Sequence, residues 1–269
     1  MQLQPSIQLA GLVKHYLFLE AHLHYEDKLR LFPDGNTGIV FSGKNKLLVS
    51  LNGKTAPQQL PQAFMYGQIG AFKDLYSAGE TSLLIVVLRP FAIYQLLGSP
   101  SNTLKDAVID IEDLFGLEGI NIQHRLEETA DIQKKIEIIE KFLLQLLVDY
   151  QHDLPPIIPA SVNYITLSKG LGTVKDLIQF SGYSERQLER LFNTVVGVSP
   201  NGFTQIIKLH NFLKELKKSN ATVSLTRHCH SSGYYDQAHL IRSFKKVTGL
   251  TPSRYLKSNN PLAINLLQI

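Results

Sequence analysis

Two regimes of hydrophobic spacing divide the chain. Over roughly the first 90 residues, short apolar runs alternate with turn formers. "LRLFPDGNTGIVFSG" sets two such runs around Pro33-Asp34-Gly35-Asn36, residue types that favour a tight change of direction. "NKLLVSLNGK" and "TSLLIVVLRP" are further strand candidates, closed by Asn52-Gly53 and by Pro90. Several short strands in series predict a small β-barrel or sandwich-like domain. From Ile122 to Tyr150 the period becomes helical. Leu126, Ile132, Ile136, Ile139, Leu143, Leu146 and Leu147 recur at helical spacing with charges between them. The spacing predicts one helix, packed on the strand unit or paired with a second copy of itself. "HDLPPIIPAS" interrupts it with Pro155, Pro156 and Pro159. These features divide the chain into a strand-rich domain (1–152), a linker (153–163), an all-helical domain (164–258) and a tail (259–269). The fold class is α+β.

Beyond the boundary the helix signals are regular. Thr173 is an N-cap candidate with Asp176 three residues on, and Gly182 stops that helix. Ser184 caps the next, which turns Leu188, Phe192 and Val195 inward. Ser199-Pro200 opens a third helix running to about Ser219. The pattern then repeats. When Phe192 is set against Phe244, Leu188 meets Leu240, Arg190 meets Arg242, Gly197 meets Gly249 and Pro200 meets Pro252. Each copy is a helix, a Gly-containing turn and a second helix, the layout of a helix-turn-helix. The second helix of each copy has a polar outer face. In the first copy it is Arg186, Glu189, Arg190 and Asn193; in the second, Gln237, Ala238, Ile241, Arg242 and Lys245. Arg, Gln and Asn can read base edges through paired hydrogen bonds. A connecting helix of roughly 19 residues at about 1.5 Å each holds the copies about 28 Å apart. That is close to one turn of DNA, so both helices are expected to enter successive major grooves.

Charge sharpens this picture. The chain carries +4 overall, but residues 161–269 hold 14 Lys/Arg against 5 Asp/Glu, while residues 1–160 are net acidic. A basic helical end beside an acidic strand-rich end fits a nucleic-acid-binding module joined to a different one. Lys208, Lys245 and Lys246 are candidates for phosphate contacts that fix register. Cys229 is the only cysteine, which excludes an intramolecular disulfide framework. No secretory signal and no membrane-length apolar run is present, so a cytoplasmic protein is expected.

At "GYSERQLERLFNTVVGVSP" and "GYYDQAHLIRSFKKVTGLTPSRYL" the sequence resembles the AraC/XylS family of bacterial transcription regulators. The resemblance covers about residues 160–258. It implies two helix-turn-helix units bridged by a long helix and a role in controlling transcription. By position it implies base or groove contacts from Arg186, Glu189 and Arg190, and from Gln237, Ala238 and Arg242. "FPDGNTGIVF" and "VVLRPFAIYQLLGSP" more loosely resemble the strand-rich domain found beside this module in part of the family. Such domains often bind a small effector or mediate dimerisation. The implied partners are therefore double-stranded DNA, RNA polymerase, a small-molecule effector and a second copy through the Ile122–Tyr150 helix. The resemblance breaks where Arg227-His228-Cys229 stands opposite Asp176-Leu177-Ile178. A histidine at a core position predicts a weakened second unit, relieved by His228→Leu. Ala238 lacks the amide the family often has there.

Other chemistry is thinly signalled. His22 and His24 share one strand face but lack a third placed ligand. His228, Cys229, His230 and His239 do not match zinc spacing. No phosphate-binding loop or activated nucleophile appears, so neither a cofactor nor an enzymatic role is expected. Asp110, Glu112 and Asp113 read as a solvated helix start. Tyr66, Tyr76, Phe32 and Arg89 are candidates for an effector pocket, or ordinary core and surface residues. Two other functions remain open: an effector-sensing or oligomerisation protein with a weakened DNA module, and a barrel enzyme with a helical appendage.

Overall fold

Pairing in the N-terminal part follows the turns. The 11-residue strand β2 (Val13–Leu23) and β9 (Gly79–Leu88) form its longest antiparallel ladder, from Val13 opposite Leu88 to Leu23 opposite Gly79. β4 (Thr37–Ser42), which follows the Pro33–Asn36 turn, lies on the other side of β9. β7 (Ala63–Tyr66), β10 (Val108–Asp110) and β1 (Gln2–Leu3) complete a sheet in the order β1-β2-β9-β4-β7-β10. A second sheet contains β3 (Leu29–Leu31), β8 (Lys73–Tyr76), β5 (Leu48–Leu51), β6 (Gln58–Gln59), β11 (Pro261–Ala263) and β12 (Leu266–Gln268), in the order β11-β12-β3-β8-β5-β6. This computed structural model describes every residue except 25–26, 44, 46, 52–55, 78, 151, 219–231, 235 and 258–260.

Of the two architectures expected, barrel or sandwich, the structure takes the second: two antiparallel sheets face each other and do not close into a barrel. Successive side chains of β9 show why both faces are apolar. Leu84, Val86 and Leu88 enter a core covered by helices, and Leu83 and Ile85 enter a second core between the sheets. The covering helices are α1 (Ala92–Leu97), α2 (Ile111–Phe115), α3 (Leu117–Glu128) and α4 (Ile132–Tyr150). Asp110 caps α2 by accepting from Glu112 N–H at 3.0 Å, as its acidic turn foretold. The single helix expected over Ile122–Tyr150 is two. Asp131 accepts from Lys134 N–H at 2.9 Å and starts α4 afresh, so Thr129–Asp131 is a corner. Ile136, Ile139, Phe142, Leu143 and Leu146 of α4 pack on their own sheet.

The helical domain comprises α5 (Ile157–Leu167), α6 (Val174–Ser181), α7 (Glu185–Val195), α8 (Pro200–Lys218), α9 (Gln237–Thr248) and α10 (Pro252–Lys257). Helix α5 starts inside the span read as a linker; Pro159 fits because it sits in the first turn, where its missing N–H costs no bond. The first helix expected for the second unit, with His228 and Cys229, lies outside the described residues. Residues 261–268 form a hairpin in the second sheet, where a tail had been expected. Among the described residues no helix is long and apolar enough to cross a membrane.

Candidate nucleic-acid interface

The second helices of the two repeats are built alike. Helix α7 begins at a capping box: Gln187 N–H donates to Ser184 Oγ, and Ser184 N–H donates to Gln187 Oε1 at 3.0 Å. In α9, Asp236 Oδ1 accepts from His239 N–H at 2.6 Å and caps the helix. Each helix buries the residues the repeat aligns: Leu188, Phe192 and Val195 in α7, and Leu240 and Phe244 in α9. The opposite faces are open. Arg186, Glu189 and Arg190 are exposed and Asn193 is half-buried; Gln237, Ala238, Arg242, Lys245 and Lys246 are exposed. Among the described residues no ion pair holds Arg186, Arg190, Arg242, Lys245 or Lys246. Lys208 is different. Its ammonium donates to the carbonyl of Gly233 and lies 4.6 Å from the Tyr234 ring centroid, so it braces the turn before α9.

A single rod joins the units. Ser199 Oγ accepts from Gly202 N–H at 3.1 Å and opens α8, whose 19 residues match the expected length. Its N-terminal half gives Phe203 to the first unit's core, and its C-terminal half gives Leu209, Phe212, Leu213 and Leu216 to the second. Both cores also take residues from the N-terminal domain. Phe91 joins the first. Phe32 and Leu267 join the second, with the Phe32 ring 6.3 Å from that of Tyr255.

The glycines that the repeat aligns mark where each unit meets the sheet domain. Gly197 has φ +90, and a Cβ there would stand 2.9 Å from Ser101 O. Beside it, Ser101 Oγ donates to Val195 O at 2.9 Å. Gly249 has φ +70, and a Cβ there would meet the Phe72 ring at 2.7 Å and Arg30 Nη1 at 2.8 Å. Any side chain at either position would break the contact as well as strain the backbone. Arg30 is fixed in turn by Asp74, whose Oδ1 accepts from Nε at 2.7 Å and whose Oδ2 accepts from Nη2 at 2.8 Å. Lys28 adds a third bond at 3.1 Å. Burial alone would raise the Asp74 pKa, but the hydrogen bonds from Arg30 and Lys28 hold it below the usual carboxylate value.

Between the sheets lies a cavity of about 530 Å³. Leu17, Val40, Leu47, Phe64, Leu83 and Ile85 give it apolar walls, and Lys14, Lys214 and Lys217, beside His210, make one end cationic. Asp34 also lines it, and Asp106 is paired with Lys73 at 3.5 Å. Among the described residues no ion pair engages Lys14, Lys214 or Lys217. Desolvation at the cavity edge pulls the Lys14 pKa below the ordinary lysine value; Asp34 opposes this and Lys214 adds to it. Burial likewise lowers His210. As the neutral ring, His210 donates from Nε2 to Pro33 O at 3.0 Å. Of the residues expected around a pocket, Tyr66 lines the cavity. Phe32 belongs to the second unit's core, and Arg89 is exposed and donates to Ala10 O at 2.7 Å. Tyr76 is half-buried and does not line it. The cationic end escaped the sequence reading because it joins Lys14 to residues about 200 positions away on α8. His22 and His24 lie edge to face at 5.3 Å, with His22 Nδ1 3.4 Å from Glu80.

No curated relative matches the chain. Two family profiles do: one described as a domain of unknown function, DUF6597, over residues 1–110, and one described as a helix-turn-helix domain over residues 177–258. Among solved structures the chain is similar to ToxT from Vibrio cholerae in its P21 form, with 10% identity, 90% of this chain and 97% of that chain covered, and a TM-score of 0.53. It is similar also to ToxT of Vibrio cholerae O395 bound to (E)-4-(8-methylnaphthalen-1-yl)but-3-enoic acid, with 13% identity, 90% and 97% coverage, and a TM-score of 0.50. At these identities the likeness is one of fold, and it spans the sheet domain together with the helical one.

Proposed function

We propose that this chain, whose residues 177–258 match a helix-turn-helix domain, is a DNA-binding transcription regulator of the AraC type that reads two adjacent major-groove half-sites under the control of a small effector. The observation that carries the first part is the repeat itself: two capped helices with matching open faces on one shared rod. Helix α7 offers Arg186, Glu189, Arg190 and Asn193 to one half-site; α9 offers Gln237, Ala238 and Arg242 to the next. Lys245 and Lys246, in the last turn of α9, supply phosphate contacts that carry no sequence choice. One polypeptide then presents two readers at fixed separation without needing a dimer to do so.

The effector reading is supported by the cavity. An apolar chamber whose cationic end meets no ion pair among the described residues suits an apolar molecule bearing one anionic head group. The solved ToxT complex holds a ligand of that class, a carboxylic acid on an aromatic body. A homodimer would use the outward side of α4, where Val148 is exposed.

Selection of bound fragments from random duplexes tests the reading. It should enrich a two-part sequence bound at least about a thousandfold more tightly than random DNA. Ala238, which has no group to pair with a base, favours the alternative of a weakened DNA module. Under that alternative the selection would enrich nothing.

A further inference from the structure

The chain returns to the N-terminal domain after its last helix. Strand β12 lies antiparallel to β3, with Leu266 opposite Leu31, Leu267 opposite Arg30 and Gln268 opposite Leu29. Lys28 and Ile269 exchange backbone bonds of 3.3 and 2.9 Å, and Phe32 N–H donates to Asn265 O at 3.1 Å. Asn265 Nδ2 returns a bond to Phe32 O at 3.2 Å. Leu262, Ala263, Ile264, Asn265 and Leu266 line the cavity, and in β12 the alternation of strand side chains divides Leu266 from its neighbour. Leu267, one residue further and fully buried, enters the second unit's core with Phe244 and Tyr255. Tyr255 Oη donates to Ile264 O at 3.1 Å, so α10 grips the same hairpin from the other side.

We propose that the hairpin is a strap that completes the ligand site and transmits its occupancy to the second recognition unit alone. The proposal rests on the effector reading above. A ligand touching the hairpin binds the state in which the strap is seated, and stabilises that state by linkage. The seated strap contributes Leu267 to the core beneath α9, so filling the cavity steadies α9 without touching it. The core beneath α7 takes Phe91 but nothing from the hairpin and receives no such signal.

Hydrogen exchange on the full chain, with and without 4-(1-naphthyl)butanoate as the probe, tests this. The expected result is slower exchange in β2, β9 and β12 and in α9, with α7 unchanged. Protection of β2 and β9 without β12 and α9 would overturn the strap and leave the effector reading standing. No protection in any cavity wall would overturn the effector reading and the ligand-linked half of the proposal with it. In Leu267→Ala the probe should still protect β2 but no longer α9; continued protection of α9 would overturn the transmission. Should that variant fail to fold, a disulfide between Leu29→Cys and Gln268→Cys in a Cys229→Ser background serves instead. These positions form a non-hydrogen-bonded pair, because the mutual bonds fall at Lys28 and Ile269. Closing the disulfide should slow exchange in α9 at least about threefold with no probe present; no change on closing would overturn the strap.

Discussion

Phe32 belongs to the strand-rich domain in sequence and to the second DNA-binding unit in space, and Phe32→Ala exploits that difference. Its ring has no solvent exposure and packs with Leu209, Phe212, Phe244 and Tyr255. Removing a buried phenylalanine side chain costs about 3–5 kcal/mol, the transfer of the ring plus the cavity left behind. Whole domains are stable by only about 5–15 kcal/mol, so a loss of this size raises the open population of the affected unit at least about a hundredfold. The loss should appear 200 residues away, as faster amide exchange across α9, while α7, whose core lacks Phe32, keeps its protection. Phe32→Leu, which refills most of the volume, should restore most of it. Hydrogen exchange by mass spectrometry resolves the two helices, and a melting curve gives the total. If Phe32→Ala speeds exchange in β3 but changes α9 by less than about threefold, the shared core is not energetically shared, and the argument fails.

Other perturbations follow the same logic. Asp74→Asn leaves Arg30 buried against an uncharged partner and should cost about 3–5 kcal/mol at neutral pH. Because the folded pKa of Asp74 lies below its ordinary 3.8, the wild-type advantage is present above that value and lost as pH falls below it. Acid titrations of the two proteins should therefore converge below about pH 3.8; curves that stay parallel would contradict the pairing. Lys246→Ala should weaken binding to every duplex alike and flatten the salt dependence by about one unit, read from binding constants over a salt series. A change of preferred sequence in that variant would contradict its assignment to phosphate.

What the sequence revealed divides along the range of the interactions. The described helices of the helix-turn-helix domain were legible because their signals are local: Thr173 and Ser184 as caps, Gly182 as a stop, and an apolar period ending on Phe192 and Phe244. The break between α3 and α4 also carried a local mark, the cap at Asp131, but the apolar spacing runs through the corner and hid it. The hairpin at the C-terminus sets two short strands around the turn at Ile264-Asn265. Its partner strand lies more than 230 residues earlier, and nothing in nine residues names that partner. The same holds for the cationic end of the cavity, which joins Lys14 to Lys214. The open faces of α7 and α9 follow from the pattern alone, because a helix that buries one stripe must expose the opposite one.

The central claim is that α7 and α9 read different half-sites. Selection from random duplexes, run on wild type, Arg190→Ala and Arg242→Ala, tests it most directly. The wild type should enrich two boxes centred about 10–10.5 base pairs apart, and each variant should lose discrimination of about 1–3 kcal/mol at one position of one box only. If both variants relax the same box, or neither alters the enriched sequence, the two helices are not separate readers and the account is wrong.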